Sequence, residues 1–152
     1  MKAFIITGTS SGIGRELTEM LLQDENHRVI GISRTQKINH PNYQHVTFDL
    51  NDVADIEMLE FPEWKNAAQI TLIHNAGWVG PIQKIGNQQM GAIAASYLIN
   101  LVAPAILTNH FIATFKPSTA QKVILSIGSG ASNSAIEGWN TYCSSKAGLA
   151  ML

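Results

Sequence analysis

The chain has 152 residues, 45% hydrophobic and 14% charged, with a formal net charge of −1. That length suits one domain with a sizeable core and excludes two ordinary ones, and the composition excludes a disordered chain. With no basic run to meet phosphates, nucleic acid and membranes are not expected partners.

Taken in order, the first apolar run is Ala3 to Thr7, followed by glycines and a helical pattern with Leu17, Met20 and Leu21 on one face. Arg28 to Ser33 predicts a second strand and Val46 to Leu50 a third. Asp52 suits the N-cap of a short helix through Leu59, stopped near Pro62. Gln69 to His74 predicts a fourth strand, Gln88 to Phe115 a long helix, and Lys122 to Ile127 a fifth strand. A last helix begins around Trp139 and is still running at Leu152. Continuous apolar strands alternating with helices predict an α/β fold, a doubly wound parallel sheet forming one domain over residues 1–152.

Gly91 to Phe115 holds no Asp, Glu, Lys or Arg. Its Ser96, Asn100, Pro104, Thr108, Asn109 and His110 would be costly in hydrocarbon, so a helix buried in the protein or at a subunit contact is expected. Cys143 is the single cysteine, which rules out an intrachain disulfide and fits a reducing compartment. The strand starting at Ala3 leaves no room for a secretory signal, so a cytoplasmic location is expected.

The segment Thr7-Gly8-Thr9-Ser10-Ser11-Gly12-Ile13-Gly14 follows the first strand and opens the first helix. Small residues let the backbone turn tightly and approach a pyrophosphate, and a helix N-terminus offers unpaired N–H groups and the positive end of its dipole. The spacing is neither G-x-G-x-x-G nor that of a P-loop. A plain strand–helix turn competes with the cofactor reading, and the position after the first strand favours the cofactor.

The second strand ends at Ser33-Arg34-Thr35, where an NAD enzyme would place Asp or Glu for the ribose 2′-hydroxyl. Ser33 leaves room for a phosphate and the Arg34 guanidinium can pair with it. NADP(H) is therefore expected over NAD(H), the competing reading being a solvated surface arginine.

Tyr142 and Lys146 stand four residues apart, on one face of a helix. A free phenol titrates near ~10. A neighbouring cation favours its phenolate, which makes such a pair a usable general acid–base. Alone, the spacing is common by chance and a surface helix pair would be the better reading. Ser129, thirteen residues before Tyr142, lies just past the fifth strand, where ligands sit in such sheets. Asn75-Ala76-Gly77 ends the fourth strand at the same edge, and Asn100 sits among Ile99 and Leu101, where an unbonded amide would cost roughly 1–3 kcal/mol.

The set TGTSSGIG, Asp49 in FDL, NAG, Asn100 in NLVAP, Ser129 and YCSSK resembles the short-chain dehydrogenase/reductase family across all 152 residues. The resemblance implies a catalytic tetrad of Asn100, Ser129, Tyr142 and Lys146. It implies that Gly8, Gly12 and Gly14 carry the pyrophosphate loop and that Asp49, with Leu50 beside it, meets the adenine ring. Asn75 would help fix the central sheet, with Ala76 and Gly77 beside the cofactor, and Lys146 would also bind the nicotinamide ribose. Asn100 would hold a water linking Lys146 to solvent, and the 4-pro-S hydride would be the one transferred. The stretches TLIHNAGWVGPIQKIG, SIGSGAS and GWNTYCSSKAGLAML resemble the sepiapterin-reductase-like branch, bacterial benzil reductases in particular. That likeness implies an NADPH-dependent reductase of a ketone or diketone, a small-molecule carbonyl substrate, and a homodimer or homotetramer.

Two departures stand out. His74 replaces the Asn that many relatives place before Asn-Ala-Gly, and the chain runs only six residues past Lys146. Further strands and a helical lid over the substrate are therefore expected beyond Leu152. No metal site is expected, because the five histidines lack ligand spacing. Trp78 and Trp139 flank the predicted site. Packing or subunit contact is the more frequent use of tryptophan, and walling an aromatic substrate is the alternative. Rival readings are an NADP-binding sensor or scaffold without catalysis, or an NAD-dependent alcohol dehydrogenase.

Overall fold

Five short runs rich in Ile, Val and Thr form the strands β1 (Lys2–Thr7), β2 (His27–Ser33), β3 (Tyr43–Thr47), β4 (Gln69–His74) and β5 (Gln121–Ser126). The computed structural model describes residues 1–152 and places them in one parallel sheet of order β3-β2-β1-β4-β5. The helices are α1 (Gly12–Leu21), α2 (Met90–Tyr97), α3 (Ala103–Phe115) and α4 (Asn140–Ala150).

Alternation along β1 explains why its apolar run is unbroken. Ala3 and Ile5 join Ile30, Ile32, Ile70 and Leu72 under Leu107, Phe111 and Phe115 of α3. Phe4 and Ile6 face the other way, onto Val29, Ile73 and the Leu17–Leu21 stripe of α1. Both faces are covered, as a doubly wound sheet requires. β5 forms an edge, with Ile124 and Leu125 partly exposed.

β1, β2 and β5 begin one residue earlier than the sequence reading, β5 ends one residue earlier, and α4 ends at Ala150 rather than running on at Leu152; three further elements differ more. β3 starts at Tyr43, just after Pro41 and Asn42, and its ladder ends at Thr47, opposite Ser33, the last residue of β2. Asp49 and Leu50 lie past that ladder and are free to face a ligand. Val53–Met58 forms a 3₁₀ helix rather than an α-helix, and the Asp52 side chain does not cap it; the Asp52 carbonyl accepts Asp55 N–H instead. Tethered by fully buried Ile56 and ended before Pro62, the segment is too short for a stable α-helix.

The long helix starts at Met90 rather than Gln88, and a π-helical turn, Leu98–Val102, separates α2 from α3. There the Ala103 N–H bonds the Leu98 carbonyl, five residues back. Pro104 has no N–H to return to Asn100 four residues earlier, which explains the break. Buried Ser96 and Asn100, then Ala103, Leu107, Phe111 and Phe115, mark the face this helix turns inward.

Candidate active site

Strand order reverses where β2 lies on one side of β1 and β4 on the other, and loops leaving such a point diverge. A cleft of about 530 Å³ opens there. Its lining includes Gly8, Ser10, Ser11 and Ile13 from the glycine loop, Ser33 and Arg34 after β2, Asp49 and Leu50 after β3, and Asn75, Ala76 and Gly77 after β4. Segments far apart in sequence thus converge on one groove.

The glycine loop is fastened to the end of β4. Asn75 Nδ2 donates to the carbonyls of Thr7 at 2.9 Å and Gly8 at 3.2 Å. Thr7 Oγ1 accepts the main-chain N–H groups of Asn75 at 3.1 Å and Ala76 at 3.0 Å. Gly8 and Gly12 have left-handed φ values of 77° and 55°. Gly14 faces the Asn75 amide and the Gly8 carbonyl so closely that no Cβ fits. Gly12 and Gly14 shape the loop without lining the cleft, Thr9 turns inward, and Thr35 meets Ser33 through its carbonyl. The Ser11 hydroxyl makes no cap on α1, and no acidic side chain occupies that helix's first turn. Backbone N–H groups and small side chains therefore face the cleft, which fits the pyrophosphate of a dinucleotide.

At the other end of the groove, Gly77 brings the cleft wall up to Lys146 and Asn100. A Cβ on Gly77 would lie 3.4 Å from Lys146 Nζ and 3.5 Å from Asn100 Oδ1. Asn100 is fully buried at the π turn. Its Oδ1 accepts Trp78 N–H at 2.8 Å, and its Nδ2 donates to the Trp78 carbonyl at 2.8 Å and to Ser145 Oγ at 3.1 Å. Its side chain thus holds the loop after β4 against α4. Lys146, 3% exposed, donates to the Ile127 carbonyl at 2.9 Å, tying α4 to the end of β5. Burial pushes its ammonium below the usual lysine range.

Tyr142 stands one turn before Lys146 on α4, with Lys146 Nζ 6.0 Å from its ring centre. Trp139 packs edge-on against the Tyr142 ring at 5.6 Å. Ser129 follows β5, and its hydroxyl accepts Ala131 N–H at 3.2 Å, capping the Gly130–Ser132 turn that packs on α4. A polar clasp joins the loop before α2 to the start of α4, just ahead of Tyr142. Gln88 Nε2 donates to Asn140 Oδ1 at 2.7 Å, Thr141 Oγ1 donates to Gln88 Oε1 at 3.1 Å, and Lys84 pairs with Glu137 at 2.7 Å.

His74 ends β4 beneath this site. It is 2% exposed, bonds Thr108 Oγ1 through Nε2 at 2.8 Å, and leaves Nδ1 without a protein partner. Burial first, and then the Lys146 charge, push its pKa from 6.5 down to about 4. Between those values the unfolded chain binds more protons, so stability contributed by neutral His74 is complete above pH 6.5 and is lost as pH falls toward 4. The full swing is about 3 kcal/mol. Urea midpoints measured from pH 7 to pH 4 should fall less steeply in His74→Asn than in the parent; parallel curves would assign the acid sensitivity to other groups.

Sequence reasoning missed several cleft residues. Ile32, Phe48 and Asn51 adjoin residues it named, while Ala95 and Ile99 share a helical face four apart. Trp78, weighed for packing against substrate contact, lines the cleft. Thr7, in the glycine loop, and Gln88, read as the start of the long helix, carry bonding roles that only their distant partners reveal.

Residues 2–152 match the family described as short chain dehydrogenase. Over 157 aligned residues the chain is 34% identical to a benzil reductase ((S)-benzoin forming) of Bacillus subtilis (strain 168), covering 99% of this chain and 64% of that protein. A benzil reductase ((S)-benzoin forming) of Bacillus cereus is 35% identical, with 99% and 66% covered. The chain thus spans just under two thirds of the length of these curated relatives. A solved short-chain dehydrogenase/reductase from Burkholderia vietnamiensis superposes with a TM-score of 0.84 at 27% identity, covering 97% of this chain and 72% of that one. A glycine loop locked to β4, the cleft at the strand switch and these matches along the whole chain lead to one assignment: the chain belongs to the short-chain dehydrogenase family.

Proposed function

We propose that residues 1–152 form the NADP-binding domain of a reductase that uses NADPH to reduce ketone or 1,2-diketone carbonyls. The observation that carries this reading is the meeting, at Gly77, of a dinucleotide-shaped cleft with Lys146 and Asn100, one helical turn from Tyr142. The likeness to two benzil reductases supports a diketone as substrate.

Gly8, Ser10, Ser11 and Ile13 would hold the pyrophosphate, Ser33 and Arg34 a ribose 2′-phosphate, Asp49 and Leu50 the adenine, and Ala76, Gly77 and Lys146 the nicotinamide end. When bound there, the reduced cofactor supplies a hydride. Ser129 holds the substrate oxygen by donating its hydroxyl proton, which its cap on Ala131 leaves available. Tyr142 then gives its phenolic proton to the oxygen as charge develops on it, and the Lys146 ammonium steadies the phenolate that remains. Asn100 keeps the loop at Trp78 in place against α4. A second copy of the chain would cover the uncharged outer face of Met90–Phe115 together with α4, making a dimer.

Following NADPH and NADH consumption by the full-length protein with benzil tests the reading. NADPH turnover with diketone, and a loss of NADPH affinity of about 10- to 100-fold in Arg34→Ala with little change for NADH, are expected. Cofactor binding without reduction of any carbonyl would favour a sensor or scaffold, and equal use of both cofactors would remove the phosphate role of Arg34.

A further inference from the structure

Beneath the adenosine end of the cleft runs a chain of hydroxyls whose direction can be read from one fixed link. Ser33 Oγ donates to the Thr35 carbonyl at 3.1 Å, which uses its only proton. Its contact with Thr9 Oγ1 at 3.4 Å is therefore a bond that Ser33 accepts. Thr9, its proton given to Ser33, accepts from the Tyr43 hydroxyl at 2.9 Å. Tyr43 in turn accepts from Nδ1 of His45 at 3.2 Å. The order is His45 to Tyr43 to Thr9 to Ser33, the three donors before Ser33 each pointing toward that cleft-lining hydroxyl.

The path is built into the sheet. Tyr43 and His45 lie on one face of β3, and the register sets His45 opposite Gly31 of β2. A Cβ on Gly31 would collide with the Tyr43 hydroxyl and Thr9 Oγ1, so the slot exists only because residue 31 has no side chain. Thr9 is 1% exposed and belongs to the glycine loop, whereas Ser33 lines the cleft. Burial pushes the Tyr43 phenol above its ordinary pKa, which keeps it a donor.

We propose that Tyr43 is a positioning residue for recognition of the cofactor's 2′-phosphate, acting through Thr9 and Ser33. The proposal rests on the NADPH reading above and names the residue that sets the phosphate preference from behind. A phosphate only accepts hydrogen bonds, so Ser33 must swing its proton from the Thr35 carbonyl to the ligand. A donor chain polarised in that direction strengthens the bond it ends on. A bare ribose hydroxyl can donate as well as accept and has no need of that polarity.

The test uses the full-length protein and cofactor fluorescence titrations. Tyr43→Phe keeps the ring and removes the link; NADPH affinity should fall about 3- to 10-fold while NADH affinity changes less than about twofold. Thr9→Val, which breaks the next link with little change of shape, should repeat that selectivity, and competition by adenosine 2′-phosphate should weaken in both variants. Equal losses for the two cofactors, or none, would overturn the role of Tyr43. A parent protein that prefers NADPH while Tyr43→Phe loses both cofactors equally refutes the positioning role alone. A parent without that preference refutes the NADPH reading, and the role of Tyr43 with it.

Discussion

Tyr142→Phe is expected to lower the rate of carbonyl reduction by about 10²–10⁴-fold, the range set by loss of a positioned general acid. The substitution removes one oxygen from a ring whose packing contact is made by its face and edge, against Trp139. α4 keeps its place through Lys146 on the Ile127 carbonyl and through the Gln88 clasp on Asn140 and Thr141, none of which uses the phenol. Melting temperature and NADPH affinity should therefore stay near those of the parent, within about 0.5 kcal/mol for folding. Single-turnover reduction of benzil separates the chemical step from cofactor binding. A fall smaller than tenfold would mean that another group delivers the proton, and Ser129 would be the first to examine.

What the sequence discloses about this site follows the range of the interactions. Gln69–His74 is legible to the residue because Ile70, Leu72 and Ile73 around the β-favouring Thr71 make a short run, set between helical patterns, that suits a strand covered on both faces. The residues Gly8, Ser33, Asn75 and Gly77 are legible because each sits where a strand ends, and a doubly wound sheet gathers such ends at one edge, whereas Asp49, read as part of the third strand, is reached only through the family resemblance. The third strand is harder. Val46 to Leu50 has as good a β pattern as Tyr43 to Thr47, and only the pairing with β2 decides between them. The π turn at Asn100 needs Pro104 to be read as a missing donor inside a helix rather than as a residue unfit for lipid. The roles of Thr7 and Tyr43 are invisible for a different reason. Their partners are 68 residues away at Asn75 and 34 away at Thr9, and no local pattern reports such a bond.

Lys146→Met is expected to damage both halves of the reaction while leaving the fold as stable as before or more so. In the parent an ammonium is held at 3% exposure, with a hydrogen bond to the Ile127 carbonyl at 2.9 Å. Taking a charge out of water costs several kcal/mol, and a single carbonyl offsets only part of that. The depressed lysine pKa has the same origin, burial disfavouring the charged form. Methionine has a similar length and no charge, so it fills the space between Gly77 and the end of β5 without that penalty. It also leaves His74 without the cation beside it, which removes the charge-dependent part of that histidine's acid sensitivity. Function should move the other way. The ammonium stands beside Gly77, at the end of the cleft proposed for the nicotinamide, and 6.0 Å from the Tyr142 ring. Losing it should weaken NADPH by about tenfold, the cost of a charge-assisted bond, and lower turnover by about 10² or more by leaving the phenolate without its cation. Calorimetry alongside KM and kcat decides the matter. A large fall in melting temperature would make Lys146 a structural strut between α4 and β5, and an unchanged kcat with raised KM would confine it to holding the cofactor.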